Sequence, residues 1–366
     1  MITSRAPGKL FIAGEYAVVE PGHLAVLTAV DRFATATVSE SKEADTQLHS
    51  DLDGGMTLSC RRVGDRMIPS TADGAVPASF AYVFAAVTAV NRLLVEREIP
   101  ERAFLLDISS DLGDADGRKF GLGASAAVTV AAVAALGRFY GLGLSSMDRY
   151  RLAMLATISI NPKASGGDIA ASTWGGWISY RSPDRALVSE LLAHNGIDAA
   201  LRAPWPGLAV RPLPAPTELT MQVGWTGKPA STPALVAGLG NSSRQLSDRT
   251  AFLSHSNECV ERLSAALEAG NSIGIGDEIR CARELLIDLD ATAGLGIMTP
   301  LLEALCAAGD AVGAAAKPSG AGGGDCGIAL IDRTRSAALD ELTDRWVTAG
   351  IRPLPLRTHP SEGECR

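Results

Sequence analysis

Apolar residues between Ala78 and Glu98 fall at Phe80, Val83, Phe84, Val87, Val90 and Leu94. This is the three-to-four spacing of a helix with one buried face. Arg32–Ser41 (RFATATVSES) instead alternates and is rich in β-branched residues, which predicts a half-exposed strand. Ala103–Ser109 (AFLLDIS) is a second strand candidate. Arg118–Leu136 has neither period: after a short polar lead it is almost wholly apolar and Ala-rich, the pattern of a buried helix. Gly141 follows it as a helix stop. Ser145–Ile158, with its Ser-rich start, predicts a further helix. The polar stretch Ser39–Gly74 offers two hairpin-turn signals, Asp53-Gly54-Gly55 and Asp73-Gly74, and no candidate chemistry.

Five prolines (Pro204, Pro206, Pro212, Pro214 and Pro216) predict a stiff, extended connection at Pro204–Pro216. A chain of 366 residues is long for a single core. Two domains, 1–203 and 204–366, are therefore expected. The second half resumes with a strand, Leu219–Trp225, and helical patterns around Asp248–Glu268, Gly276–Leu289 and Ala304–Ala316. It then passes through the glycine-rich Lys317–Gly327 to a strand at Ile328–Ile331.

The candidate chemistry lies where glycines interrupt these patterns. Pro7-Gly8-Lys9 stands before the apolar LFIAG, so a turn or strand edge would fix Lys9 beside Gly14-Glu15; the alternative is an ordinary solvated lysine. Lys119 leads into Gly121-Leu122-Gly123-Ala124-Ser125-Ala126. The glycines let backbone approach a bulky anion, and the helix start beyond them supplies unpaired N–H groups and the positive dipole end. Together they make a phosphate site, though not a Walker A loop, since no Gly-Lys-Ser/Thr closes it. A plain glycine turn entering a core helix is the competing reading. Asn161–Tyr180 gathers Lys163, Ser165-Gly166-Gly167-Asp168 and a Trp-Gly-Gly-Trp strand. Asp168 reads either as a residue of a close-packed backbone pocket or as a helix N-cap. Ser319-Gly320-Ala321-Gly322-Gly323-Gly324 has the composition of an anion nest or a flexible linker. Its place between an apolar helix and an apolar strand favours the nest.

Composition narrows the function classes. The formal net charge is −8, which argues against general affinity for nucleic acid or anionic membrane. Anions must therefore be met by locally placed cations. Ala124–Leu136 is shorter than the roughly 20 residues that span a bilayer, and MITSRAPGKLFIAGEY has no long apolar core, so no signal peptide is read. The six cysteines contain no C-x-x-C and the five histidines are dispersed. Reduced cytosolic thiols are expected, with no zinc site and no His-based triad.

Ala6-Pro7-Gly8-Lys9, Gly121-Leu122-Gly123-Ala124-Ser125-Ala126-Ala127 and Ser319-Gly320-Ala321-Gly322-Gly323-Gly324-Asp325-Cys326 resemble, in order and spacing, the three motifs of the GHMP small-molecule kinases. That superfamily includes galactokinase, homoserine kinase and mevalonate kinase, and the resemblance covers nearly the whole chain. Further features are similar to its branch acting on 5-phosphomevalonate. They are Lys119 in place of a proline-containing lead-in, GGGDC in place of GGGGC, Val223–Thr232 and Ser165–Ala171. One position departs from the family's usual Gly-Leu-Gly-Ser-Ser: the first serine is Ala124. Ser125 matches the second, which mevalonate kinase associates with Mg²⁺.

The resemblance implies a two-domain α+β architecture, the N-terminal domain like ribosomal protein S5 domain 2 and the C-terminal one ferredoxin-like. It implies ATP over Gly121–Ser125 and an acceptor between the domains, (R)-5-phosphomevalonate, converted to the 5-diphosphate in isoprenoid precursor synthesis. Lys119 and Gly121–Ala126 are then nucleotide residues, and Lys9 and Asp168 catalytic ones. Lys9, Lys163, Ser165, Gly166, Asp168, Ser319, Gly320, Ala321 and Gly322 would serve the substrate, and Ser125 the metal. The rivals are a mevalonate kinase, a diphosphomevalonate decarboxylase, or a non-catalytic metabolite sensor of the same fold. A nucleic-acid-binding module using the S5-like domain is disfavoured by the acidic balance.

Overall fold

In a computed structural model, residues 1–51, 55–114, 116–228 and 243–362 are described, with 243–247 as backbone alone. Asp53 and Gly54 of the first turn signal, Pro229–Thr232 and Cys365 lie outside the described residues.

The first half is built on a long hairpin. Strand β1 (Ile2–Ala13) pairs antiparallel with β2 (Leu24–Glu40), from Ile2 opposite Val38 to Ala13 opposite Val26. The other edge of β2 is shared. Ala34–Glu40 pair with β6 (Phe104–Ser110), and Leu24–Thr28 with β7 (Trp177–Arg181). Three strands from the polar stretch, β3 (Thr46–Ser50), β4 (Met56–Val63) and β5 (Arg66–Pro69), extend the sheet beyond β6, and β8 (Ala209–Leu213) extends it beyond β7. Four helices cover it: α1 (Ala81–Glu96), α2 (Ala124–Phe139), α3 (Ser146–Ile158) and α4 (Gly167–Trp174). A fifth, α5 (Arg185–Arg202), packs on α1 and α3. The α2 helix lies on β1 and β2, and its small residues allow that close approach. By length and composition Ala78–Glu96 would also cross a membrane, yet Val83, Val87, Val90 and Leu94 are buried in the core it shares with α2 and α3.

The second half is a four-stranded antiparallel sheet in the order β10 (Ala315–Ser319), β11 (Cys326–Asp332), β9 (Leu219–Trp225), β12 (Arg352–Leu354). Helices α6 (Ser243–Glu268), α7 (Ser272–Ala293) and α8 (Pro300–Ala311) join β9 to β10, and α9 (Ser336–Thr348) joins β11 to β12. This is the ferredoxin-like strand order.

Three local expectations need correction. The helix expected through Ala316 ends at Ala311, because Gly313 takes a positive φ of 78° and Ala315–Ala316 pair with β11 as strand. The proline-rich connection contains β8, so a division at 203/204 separates that strand from its sheet; the passage between sheets is 214–218. Asp73-Gly74 turns outside any hairpin, the β4–β5 turn being Gly64-Asp65. The chain's end also returns to the large sheet: His359 N–H donates to Ala29 O at 2.9 Å and Thr358 bridges Val30.

Candidate active site

Lys9 sits inside β1, one residue beyond a register shift between Pro7 and Gly8. A side chain at Gly8 would lie 2.5 Å from Leu112 Cδ2 and 2.9 Å from Leu122 O. Glycine there lets the loop entering α2 rest on the strand. That loop holds Lys9 at both ends: its backbone N–H donates to Leu122 O at 2.9 Å and its Nζ to Gly121 O at 3.0 Å. Lys9 is only 7% exposed, so the solvated-surface reading fails.

Gly123 is the N-cap of α2, with φ 76° and no capping side chain, and the first turn contains no acidic residue. Ala124, Ser125 and Ala126 face a cleft of about 580 Å³. A second helix start opens into it. Gly166, also left-handed at φ 81°, is the N-cap of α4. Asp168 is therefore not the cap; it lies in the first turn, its Oδ1 accepting the Ile169 N–H at 2.9 Å. Enclosure by protein raises its pKa above the ordinary carboxylate value, and the charge of Lys9 opposes that rise. A Cβ at Gly123 would touch both groups, lying 3.1 Å from Lys9 Cε and 3.6 Å from Asp168 Cβ. The loop before α4 is held from below: Tyr180 donates its hydroxyl proton to Ser165 O at 2.6 Å, and its oxygen lies 2.8 Å from that of Tyr150.

The third glycine loop comes from the other half of the molecule. Its Ser319 Oγ exchanges hydrogen bonds with Phe11 N and O, both at 2.9 Å, and Tyr16 donates to Ala321 O at 2.5 Å. Cys326 Sγ donates to Phe120 O at 3.0 Å. Below the loop, Lys317 Nζ donates to Glu15 Oε1 and to Pro318 O; the lysine is 0% exposed and Glu15 is 4%. This buried pair joins the two halves. Gly322 and Gly323 rest on the segment after α7, where Gly323 N–H donates to Ile297 O at 2.9 Å.

One cleft thus gathers Lys9, Lys119, Gly121–Ala126, Lys163, Ser165, Asp168, Gly320 and Ala321. Gly166, Ser319 and Gly322 are not on its lining; each supports a neighbour that is. Glu15, Tyr82 and Asn161 line the cleft and were not singled out from sequence, and Lys317 beneath it was also missed. A lysine directly after three alanines, Ala314–Ala316, is the signal Lys317 carried, because a buried lysine requires a partner. The donor set suits a hard, oxygen-seeking cation: the Ser125 hydroxyl accompanies the carboxylates of Glu15 and Asp168 around the same space. Glu15 is already engaged by Lys317, and the lining also carries the carboxylates of Asp168 and Asp325 with the Ser125 hydroxyl.

Comparison with known proteins gives the same arrangement at full length. Residues 81–176 match the GHMP kinases N terminal domain and residues 263–348 the GHMP kinases C terminal domain. A phosphomevalonate kinase of Streptomyces sp. is 51% identical over 362 residues, covering 97% of this chain and 96% of that protein. A solved protein of Listeria innocua superimposes with a TM-score of 0.90 at 32% identity, covering 99% of this chain and 98% of that one. Streptococcus pneumoniae phosphomevalonate kinase, solved in complex with phosphomevalonate and AMPPNP, superimposes with a TM-score of 0.85 at 30% identity, covering 98% and 100%.

Proposed function

Since this chain belongs to the GHMP kinase family, we infer that it transfers the γ-phosphoryl group of ATP to (R)-5-phosphomevalonate. The product is (R)-5-diphosphomevalonate, on the mevalonate route to isopentenyl diphosphate. The observation that carries this reading is 51% identity with a phosphomevalonate kinase through both halves of the fold. The cleft supports it, because its lysines and the bare start of α2 suit phosphorylated reactants.

Both reactants are anions, so their repulsion must be offset before the oxygens meet. Phosphoryl transfer leaves the protein mainly positioning and charge neutralisation to supply. The uncapped start of α2 would take the ATP phosphates on its N–H groups, with Lys119 at the cleft edge as a further cation. Lys9, tethered to the glycine loop through Nζ and N–H, would lie between the γ-phosphoryl and the acceptor. Ser125 would hold Mg²⁺, whose chemistry is to screen and align ATP oxygens. Lys163, Ser165 and the Gly320–Ala321 turn would position the acceptor. As its phosphate oxygen bonds to the γ-phosphorus, the bond to the β–γ bridging oxygen breaks and ADP leaves.

The acceptor needs no strong base, because a phosphate monoester has its second pKa near 6 and is largely dianionic at neutral pH. Asp168 is therefore assigned to orienting Lys9 and the acceptor rather than to obligatory proton removal. The test is ADP release measured with mevalonate, its 5-phosphate and its 5-diphosphate in turn. Turnover confined to the monophosphate is expected. Turnover on mevalonate alone, or inorganic phosphate and carbon dioxide released from the diphosphate, would transfer the chain to another branch. ATP binding without turnover on any acceptor would make it a sensor.

A further inference from the structure

Outside the cleft, helices α6 and α7 form an antiparallel hairpin that turns at Gly270, with φ 62°. Cys259 and Cys281 stand eleven residues before and after that glycine, level with one another on the facing helices. Their sulfur atoms and a Glu278 carboxylate oxygen all lie within 4.8 Å of one another. The two thiols differ in setting. Cys259 is 1% exposed and donates to Glu278 O at 3.4 Å; Cys281 is partly exposed, and Arg262 Nη2 lies 3.6 Å from its sulfur.

Three such donors could suggest a metal, but Glu278 already accepts two hydrogen bonds from Arg262, at 2.7 and 3.0 Å. A divalent ion there would sit against a guanidinium. An accessible thiol beside a cation, backed by a second buried thiol, instead matches the pairing of an attacking and a resolving cysteine.

We propose that Cys259 and Cys281 are a thiol pair that closes to a reversible disulfide on reaction with a hydroperoxide. Cys281, having given up its proton, attacks one peroxide oxygen; the O–O bond breaks, giving a sulfenic acid and hydroxide, which takes that proton and leaves as water. Cys259 then attacks the sulfenic sulfur. The S–O bond breaks, the S–S bond forms and a second water departs with the Cys259 proton. Two electrons pass from the thiols to the peroxide. The bond would fasten α6, held to the large sheet by Asn257 accepting the Leu24 N–H at 3.0 Å, to α7, which packs on β10 of the small sheet.

The experiment is hydrogen peroxide treatment of the full chain, followed by denaturing alkylation, intact mass and peptide mapping without reductant. Alkylated thiols are expected to fall from six to four, with one linked peptide pair joining Cys259 to Cys281 and dithiothreitol restoring all six. Cys259→Ala and Cys281→Ser should each retain every remaining thiol or show only a single oxidised sulfur, without the linked pair. Six alkylated thiols after treatment, Cys281 carried to sulfinic acid without a link, or a link through other cysteines would overturn the proposal. Tight Zn²⁺ binding by the untreated chain that disappears in Cys259→Ala would overturn it in favour of a metal site.

Discussion

Replacing Glu15 by Gln tests how the two halves are held in register. Lys317 has no exposed surface, and Glu15 is its only carboxylate partner among the described ion pairs. The substitution keeps the size and an acceptor oxygen but removes the compensating charge, leaving a buried ammonium with Pro318 O at 2.6 Å. Breaking a buried pair from one side costs about 3–5 kcal/mol, because the remaining charge is neither solvated nor matched. An exposed pair such as Arg345–Glu341, with side chains 48% and 52% exposed, supplies an internal control. Glu341→Gln should cost no more than about 0.5 kcal/mol. Urea and thermal unfolding of both variants would be followed beside the unaltered chain, at low salt and at about 1 M salt, which screens only the exposed pair. The double variant Glu15→Leu with Lys317→Met should recover most of the lost stability, since no charge is then stranded. A cost for Glu15→Gln as small as that of Glu341→Gln would refute the reasoning.

Three further outcomes are expected. Asp168→Asn should lower kcat yet raise the melting temperature at pH 7–8. Burial raises the folded pKa of Asp168 above its ordinary 3.8, so the folded state binds that proton more tightly than the unfolded chain, and ionisation at neutral pH opposes folding. The stabilisation by Asn should fade as pH falls through the folded pKa toward that ordinary value; a gain independent of pH, or an unchanged saturating rate, would contradict the assignment. Lys9→Ala should reduce kcat by about 10²–10³, the usual effect of removing one donor from a developing anion, and single-turnover rates near those of the unaltered chain would reject it. Gly123→Ala forces a side chain into a left-handed position at φ 76° with its Cβ 3.1 Å from Lys9 Cε. Displacing Lys9 by a fraction of an ångström should cost about 10- to 100-fold in kcat, and unchanged kinetics would show that the loop does not position Lys9.

How much of this was legible in sequence depended on whether a feature was local. Leu219–Trp225 is strand at those same bounds, and the apolar run after Gly123 is helix from Ala124. In both, pattern and burial agree along consecutive residues. The strand start of the chain was harder: Pro7 and Gly8 read as turn chemistry, whereas β1 absorbs them as a register shift against β2. Ala304–Ala316 misled for the opposite reason, since alanine favours helix locally while pairing with β11 decides Ala315–Ala316. Within the site, glycine spacing announced the loops, but the partners of Lys317 and Tyr16 lie about 300 positions away along the chain. No periodicity encodes such a contact. Asp168 lay between: its residue type suggested a cap, and only the left-handed Gly166 N-cap shows that it does not cap.

The two kinds of loop contact explain how an acidic chain can present lysine charge in a cleft that Glu15, Asp168 and Asp325 also line. A net charge of −8 would disfavour gathering two phosphorylated molecules if it were spread evenly. Yet the carboxylate of Glu15 is matched from beneath by Lys317, so it adds little net negative charge to the wall it lines. Lys9, whose charge acts on Asp168, is held through its Nζ by the Gly121 carbonyl. A carbonyl orients an ammonium without neutralising it, so its charge remains directed at whatever enters. The same division recurs at the start of α2, where the glycine N-cap gives shape without a side-chain oxygen to occupy the N–H groups. Filling the Gly123 N-cap with Asp or Ser would supply an internal acceptor in the place an incoming phosphate requires. Left-handed glycine at 123 therefore does chemical as well as steric service: it leaves the start of α2 without a side-chain cap, whereas at the start of α4 Ser165 Oγ and Asp168 Oδ1 already accept the Gly167 and Ile169 N–H groups.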